Sequence, residues 1–230
     1  MEQQPSIETE TLKELKRTKE ELVLAQEKIK ELQYKLEMAE IDGLTGLFKP
    51  ELLSPTLNKL VEELNIVEDK RKSNKVGFMV IVVDVDNFKD FNNNYGHMVG
   101  NKALSALGMR FKKVEKRYGD AVYRFGGDEF TLVLSFESDK PISKDTEKAI
   151  FERIKKEASD LLYIEVDDSG KNKKVPITFA MGYTFFSKSE PVKTPEEILA
   201  LADVNQYKEK EEDVKKDRIE KARKAVEALG

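Results

Sequence analysis

Two acidic segments carry the chemistry this chain can offer. The first is Asp84-Val85-Asp86-Asn87-Phe88-Lys89, directly after the apolar run at 76–83. Carboxylates two residues apart, with no His or Cys beside them, suit a hard cation such as Mg²⁺, which takes oxygen ligands and usually phosphate oxygens as well. By itself the pattern is weak evidence and more often marks a strand that simply ends in turn-favouring Asp residues. The second segment is Arg124-Phe125-Gly126-Gly127-Asp128-Glu129-Phe130. Gly-Gly between two apolar β-runs predicts a two-residue hairpin turn, and glycine lets a ligand approach the backbone closely. As pure structure, Asp128 and Glu129 are solvated residues just past a turn. As chemistry they add metal ligands. An acidic strand end and an acidic hairpin with glycine access together describe a metal-dependent nucleotidyl-transfer site.

The elements that must position these residues alternate between strand and helix. The run at 76–83 is β-rich and continuously apolar, as in a strand buried on both faces. Residues 50–70 read as a helix with Leu52, Leu53, Leu57, Leu60, Val61 and Leu64 on one face, and 71–75 as a polar loop. A helix at about 102–114 precedes short strands at 121–125 and 130–136, and another helix is expected at about 144–161. Strand-like segments at 163–166 and 175–186 flank the polar stretch DDSGKNKK, read as a loop. The last element reads as helical from Pro195 almost to the end. The alternation predicts an α/β domain at 42–215 with a charged helical tail at 216–230.

Residues 1–41 differ from the rest. No Gly or Pro occurs between Glu8 and Glu40, and Leu15, Leu22, Ile29 and Leu36 recur every seven residues, with Thr18, Ala25, Leu32 and Ala39 filling a second seam position. A seam of period 3.5 predicts a coiled coil and a homodimer through it. The small Thr18 and Ala25 predict modest strength. The alternative is an amphipathic helix packed on its own domain.

Composition narrows the functions. The chain has no Cys and one His, which leaves no Cys-ligated zinc, disulfide or thiol nucleophile and makes Ser-His-Asp chemistry a poor fit. Its net charge of −4 argues against a general nucleic-acid or anionic-membrane binder. No stretch reaches the roughly 20 apolar residues of a membrane span, and the first residues lack a secretory signal pattern. A soluble, cytoplasmic protein is expected.

Gly126-Gly127-Asp128-Glu129-Phe130 resembles the signature of the GGDEF domain of diguanylate cyclases. Further segments resemble the same family in the same order: Asp42-Gly43-Leu44-Thr45-Gly46-Leu47 its entry motif, and Asp84 to Lys89 with Asn92, Gly96-His97 and Gly100 its metal and substrate segment. Thr178 to Gly182 resembles a later strand, and Ala202-Asp203 with Tyr207 and Lys210 the closing helix. The resemblance implies a palm-like α/β (α+β) fold, with a central, mostly antiparallel sheet flanked by helices and preceded by the long coiled-coil helix. It implies condensation of two GTP into cyclic di-GMP across a dimer of domains, with Mg²⁺ or Mn²⁺ as cofactor. Asp84, Asp128 and the Val85 carbonyl then hold metal, aided by Glu129, while Gly126 and Gly127 leave room for nucleotide. Asn87, Phe88, Lys89 and Lys210 face phosphates, and Asn92 and Asn101 face guanine. His97 is expected to be structural. Arg117 and Asp120 resemble the family's inhibitory product site, where Arg can fork onto phosphate or a guanine edge; as plain structure they end a helix and enter a turn.

Some positions depart from the family pattern. Pro50 stands where the entry motif usually carries an Arg, so a structural ion pair is expected to be missing. After Lys210 the usual Gly-Arg-Asn is replaced by Glu211-Glu212-Asp213-Val214, so a second phosphate charge is absent or comes from Lys215 or Lys216. A degenerate domain that binds GTP or cyclic dinucleotide without catalysis is the alternative reading these departures leave. Asn101 replaces an Asp that reads guanine. A carboxylate accepts from both adjacent guanine donors, whereas an Asn amide has one acceptor and one donor. The lost bond costs about 1–3 kcal/mol, and the Asn amide matches adenine instead. Relaxed selectivity, with some ATP consumed, is therefore predicted; alternatively, Asn92 and pocket shape keep guanine and Asn101 only raises KM. Supplying equal GTP and ATP to the parent and to Asn101→Asp decides. Relaxed selectivity is contradicted if the parent makes only cyclic di-GMP and the variant leaves the consumption ratio unchanged.

Overall fold

The apolar run forms β1 (Lys75–Val85), and its two faces organise the domain. The computed structural model describes residues 7–65, 75–118, 121–138, 140–160, 162–168, 171–188, 191 and 193–229, and within these the side chains other than those of 7–13, 33–35, 37–38, 115–118, 168 and 171. Side chains alternate across a strand, so Met79, Ile81, Val83 and Val85 enter one apolar cluster while Phe78 and Val80 enter another. β1 pairs antiparallel with β3 (Glu129–Glu137) on one side and β6 (Phe179–Ser187) on the other. Adding β2 (Ala121–Gly126) beside β3 gives a four-stranded antiparallel sheet of order β2-β3-β1-β6.

Both faces of this sheet are apolar and both are covered. On one, α4 (His97–Tyr118) contributes Leu104, Leu107 and Phe111, and α5 (Lys144–Ser159) contributes Phe151 and Ile154. On the other lie Leu53, Leu57 and Leu64 of α2 (Leu53–Asn65) and Ile198 of α6 (Pro195–Glu209). A capping box between Thr194 and Glu197 starts α6. Gly182 lets α6 approach β6, because a Cβ there would collide with the Gln206 amide and the Ala202 carbonyl. Asn205 and Gln206 then donate to the Tyr183 and Ala180 carbonyls at 2.8 and 3.3 Å.

Met1–Ile41 and Asp42–Gly230 form two compact units. The first contains α1 (Ile7–Glu40), about 50 Å long at 1.5 Å per residue. Its seam residues Leu15, Leu22, Ile29, Leu32 and Leu36 are all more than half exposed. Among the described residues no helix is long and apolar enough to cross a membrane.

Several local expectations are corrected. β1 continues through Val85, so Asp84 lies within the strand and not beyond its end. The polar stretch read as a loop is a hairpin of β4 (Tyr163–Asp168) and β5 (Lys171–Pro176), in which Glu165 faces Lys174 and Val166 faces Lys173. Cross-strand pairing of opposite charge supports strands whose composition disfavours them. The strand expected at 175–186 divides after Pro176 between this hairpin and the main sheet. An unforeseen short helix, α3 (Phe88–Tyr95), is Asn-rich and weak in helix propensity, and α4 begins at His97 rather than near Lys102. The helix expected from Pro195 onward breaks at Glu211, with ψ 134°, into α6 and α7 (Glu212–Glu227) without a Gly or Pro to signal it.

The entry loop is held by an ion pair that does not involve position 50. Arg124 Nη1 lies 3.2 Å from both Asp42 carboxylate oxygens, and the Thr45 hydroxyl and amide donate to Asp42 at 2.6 and 2.9 Å. Burial alone would raise the Asp42 pKa, but the Thr45 bonds and the Arg124 charge outweigh it and hold the carboxyl below its ordinary value. A depressed acid stabilises the fold above its unfolded pKa and loses that contribution as pH falls through the folded value. Asp42→Asn is expected to cost about 1–3 kcal/mol at pH 7. In urea titrations, the gap to wild type should stay full down to about pH 4 and shrink below it.

Candidate active site

The register of the central sheet sets the site. Asp84 on β1 pairs directly with Glu129 on β3 and with Ala180 on β6. Asp84 and Glu129 therefore share one face of the sheet, the face covered by α6, at the separation where like charges destabilise a strand pair. The Asp128 carbonyl accepts from the Val85 amide at 3.3 Å, which brings the hairpin turn against the end of β1.

The turn differs in detail from the expected Gly126-Gly127 pair. Gly126 still pairs with Glu129, after a register shift past Arg124, so the turn positions are Gly127 and Asp128. Gly127 has φ +44°, a left-handed conformation that favours glycine. Arg124 closes the turn by donating Nη2 and Nε to the Gly127 carbonyl at 2.7 and 3.1 Å. Gly126 is different. Its φ is not positive, and a Cβ on it would meet no atom of the protein within 4 Å. The fold itself does not demand glycine there.

The acids strain against one another. Burial pushes the Asp128 carboxyl above its ordinary pKa, its own backbone amide opposes, and the Asp84 charge pushes further up. Glu129 is raised by burial and then by Asp84 and Asp128. The countering cation is Lys210 at the C-terminus of α6, whose Nζ lies 3.1 Å from Asp84 Oδ2. Asp203, one turn of α6 from Tyr207, is also raised by burial, with Lys210 opposing. It shares a cavity of about 100 Å³ with Asp84, Glu129 and Phe125. Among the described residues no three acidic or His side chains form a ready-made metal cage. A carboxylate set that repels itself and lies open to solvent fits an ion such as Mg²⁺, which is usually held by one or two carboxylates plus phosphate oxygens.

The remaining expected residues line the adjoining segment. Asn87 adopts φ 54°, which Asn tolerates, and opens α3. Phe88 packs on the core while Lys89 is exposed. Asn92 turns its Oδ1 into the protein against Gly100, where it is buried with no partner. Such an orphan acceptor costs about 1–3 kcal/mol. Asn101 follows Gly100 in α4 and is exposed, as is His97 at the start of that helix. Arg117 belongs to α4, but its side chain and the whole of Asp120 lie outside the described residues. Arg124 and Asp203, quoted in the sequence motifs without a role in the site, shape it, and so does Arg218, which sits 2.8 Å from Asp86 and carries no sequence signal.

Residues 39–216 match the family model described as "Diguanylate cyclase, GGDEF domain". The chain belongs to the GGDEF family. It is 29% identical over 179 residues to the uncharacterized protein YhcK of Bacillus subtilis, covering 78% of this chain and 45% of that protein. It is 27% identical over 191 residues to the diguanylate cyclase DgcP of Pseudomonas aeruginosa, covering 83% and 25%. The chain thus spans less than half the length of these relatives. The coiled coil and GGDEF domain of DgcB from Caulobacter crescentus, solved with c-di-GMP, shares the fold at TM-score 0.64 and 20% identity, covering 84% of this chain and 92% of that one. Diguanylate cyclase SiaD from P. aeruginosa, solved with its activator SiaC, does so at 0.61 and 23%, covering 88% and 70%.

Within this GGDEF domain the two signature glycines make different predictions. Gly127→Ala should destabilise by about 1–2 kcal/mol through its left-handed backbone. Gly126→Ala should stay within about 0.5 kcal/mol of wild type, both variants being read by thermal denaturation. Equal stability losses in the two variants would contradict the distinction.

Proposed function

We propose that this chain is a diguanylate cyclase that condenses two GTP into cyclic di-GMP with release of pyrophosphate. The observation that carries the reading is the opposed Asp84–Glu129 pair beside Asp128, held next to a Gly126 that the fold leaves open. A scaffold gains nothing from like charges facing each other across a sheet. Asp84 and Asp128, with the Val85 carbonyl and Glu129 in support, would hold Mg²⁺ or Mn²⁺. When bound, the metal polarises the α-phosphate, favours the deprotonated 3′-hydroxyl and neutralises the leaving pyrophosphate.

The chain's own residues bind and orient. Gly126 and Gly127 admit the nucleotide; the amides at Asn87 and Phe88, with Lys89, receive phosphate oxygens. Lys210, whose Nζ stands beside Asp84, would supply a positive charge to the phosphates. Asn92 and Asn101 read the base, and Arg117 with Asp120 binds product as a feedback inhibitor. The attacking hydroxyl and the α-phosphate belong to different GTP molecules, so two domains must meet. The exposed seam of α1 supplies the homodimer, raising the effective concentration of one domain at the other.

Two measurements test this reading. Asp84→Asn and Asp128→Asn should each cut GTP turnover by about 10²–10³-fold or more with the fold intact by circular dichroism; near-normal turnover in both would refute it. Removing residues 1–40 should make specific activity steeply concentration-dependent. Unchanged activity at nanomolar protein would show that α1 is not the assembly device.

A further inference from the structure

α7 reaches the segments flanking the acidic site through one arginine. Most of this helix lies in solvent, laced by exposed pairs such as Lys221–Asp217 at 2.6 Å and Lys224–Glu220 at 2.7 Å. Val226 is its one buried side chain among the described residues. Cavities of about 600 and 580 Å³ flank it, towards α3 and β5 on one side and α5 on the other. Apolar packing therefore does not explain how the helix is seated.

Arg218 does. Its Nε and Nη2 donate to the two oxygens of Asp86 at 2.8 Å each, the forked geometry that only a guanidinium provides. The Asp86 side chain is 4% exposed and that of Arg218 17%. Nη1 donates to the Glu209 carbonyl at 3.1 Å and to its carboxylate at 3.4 Å, and the same carboxylate holds Lys155 at 2.8 Å. The Asp86 amide is fixed in turn by the Thr178 carbonyl at 2.9 Å. Asp86 is two residues beyond Asp84 and adjoins the left-handed Asn87; Glu209 adjoins Lys210. One guanidinium thus grips residues one or two positions along the chain from each member of the Asp84–Lys210 contact.

We propose that Arg218, which lies beyond the residues matched to the family, is a positioning residue that fixes the Asp84–Asn87 turn and the end of α6 in register with each other. It touches neither metal nor nucleotide. Its catalytic consequence rests on the cyclase reading above, while its structural consequence does not. Without it, Asp86 is a buried carboxylate lacking its partner, free to compete with Asp84 for Lys210 or metal.

The test uses the full chain with Arg218→Met and Arg218→Lys, and Lys221→Met as a control on the same helix. Hydrogen exchange of peptides covering 83–90 and 207–212 is read in metal-free protein, with kcat, KM for GTP and the Mg²⁺ concentration for half-maximal rate read in parallel. Arg218→Met should speed exchange in both peptides and raise the Mg²⁺ requirement or lower kcat/KM by about 10–100-fold, the usual effect of losing a partner that orients a metal site. Lysine, a point charge without the fork, should rescue only partly, and Lys221→Met should change nothing. Faster exchange confined to α7, or full rescue by lysine, overturns the proposal. If Arg218→Met does not fold, Arg218→Lys decides it. If wild type turns over no GTP, the cyclase reading fails, and the exchange data alone still judge Arg218.

Discussion

Asp84 and Glu129 face each other across two strands, and the rest of the domain is arranged so that they cannot part. β1 is apolar on both faces and paired on both edges. A slip of one residue would send Val83 and Val85 to the opposite face and turn Asp84 into the apolar cluster beneath. The register that protects the core is the register that opposes the acids. Hydrophobic burial therefore stabilises the sheet at the cost of an electrostatic conflict at one end, as expected where function and stability pull apart.

Cations from three separate elements lie around that conflict. Lys210 reaches Asp84 from α6, Arg218 holds Asp86 from α7, and Arg124 spans from Asp42 to the Gly127 carbonyl. The contacts differ in character. The two arginines make forked or multiple bonds in half-buried settings and fix backbone segments. Lys210 is a single flexible charge, more exposed than either arginine.

Much of this was legible in the sequence because it is local. The apolar run of β1, the Gly-Gly hairpin and the acids at their ends lie within short windows, and the seam of α1 is a strict repeat. What escaped depends on tertiary placement or on weak local signals. Asp84 reads as lying past a strand because turn-favouring Asp and Asn follow it, yet pairing on both edges carries the strand on to Val85. Gly126-Gly127 reads as the turn, but the register shift after Arg124 moves the turn to Gly127-Asp128. The β4–β5 hairpin hides behind lysines and asparagines. Arg218 sits in a helix whose i,i+4 charges look purely solvated, and no Gly or Pro marks the break at Glu211 that swings this helix back to Asp86.

The proposed cyclase activity rests on the acidic sheet end formed by Asp84, Glu129 and Asp128. The most direct measurement is incubation of the full chain with GTP and Mg²⁺, with chromatographic and mass-spectrometric identification of what forms. The predicted result is cyclic di-GMP with two pyrophosphates per molecule made, abolished by chelating the metal. Recovery of unchanged GTP at saturating Mg²⁺, from folded and dimeric protein, would contradict it.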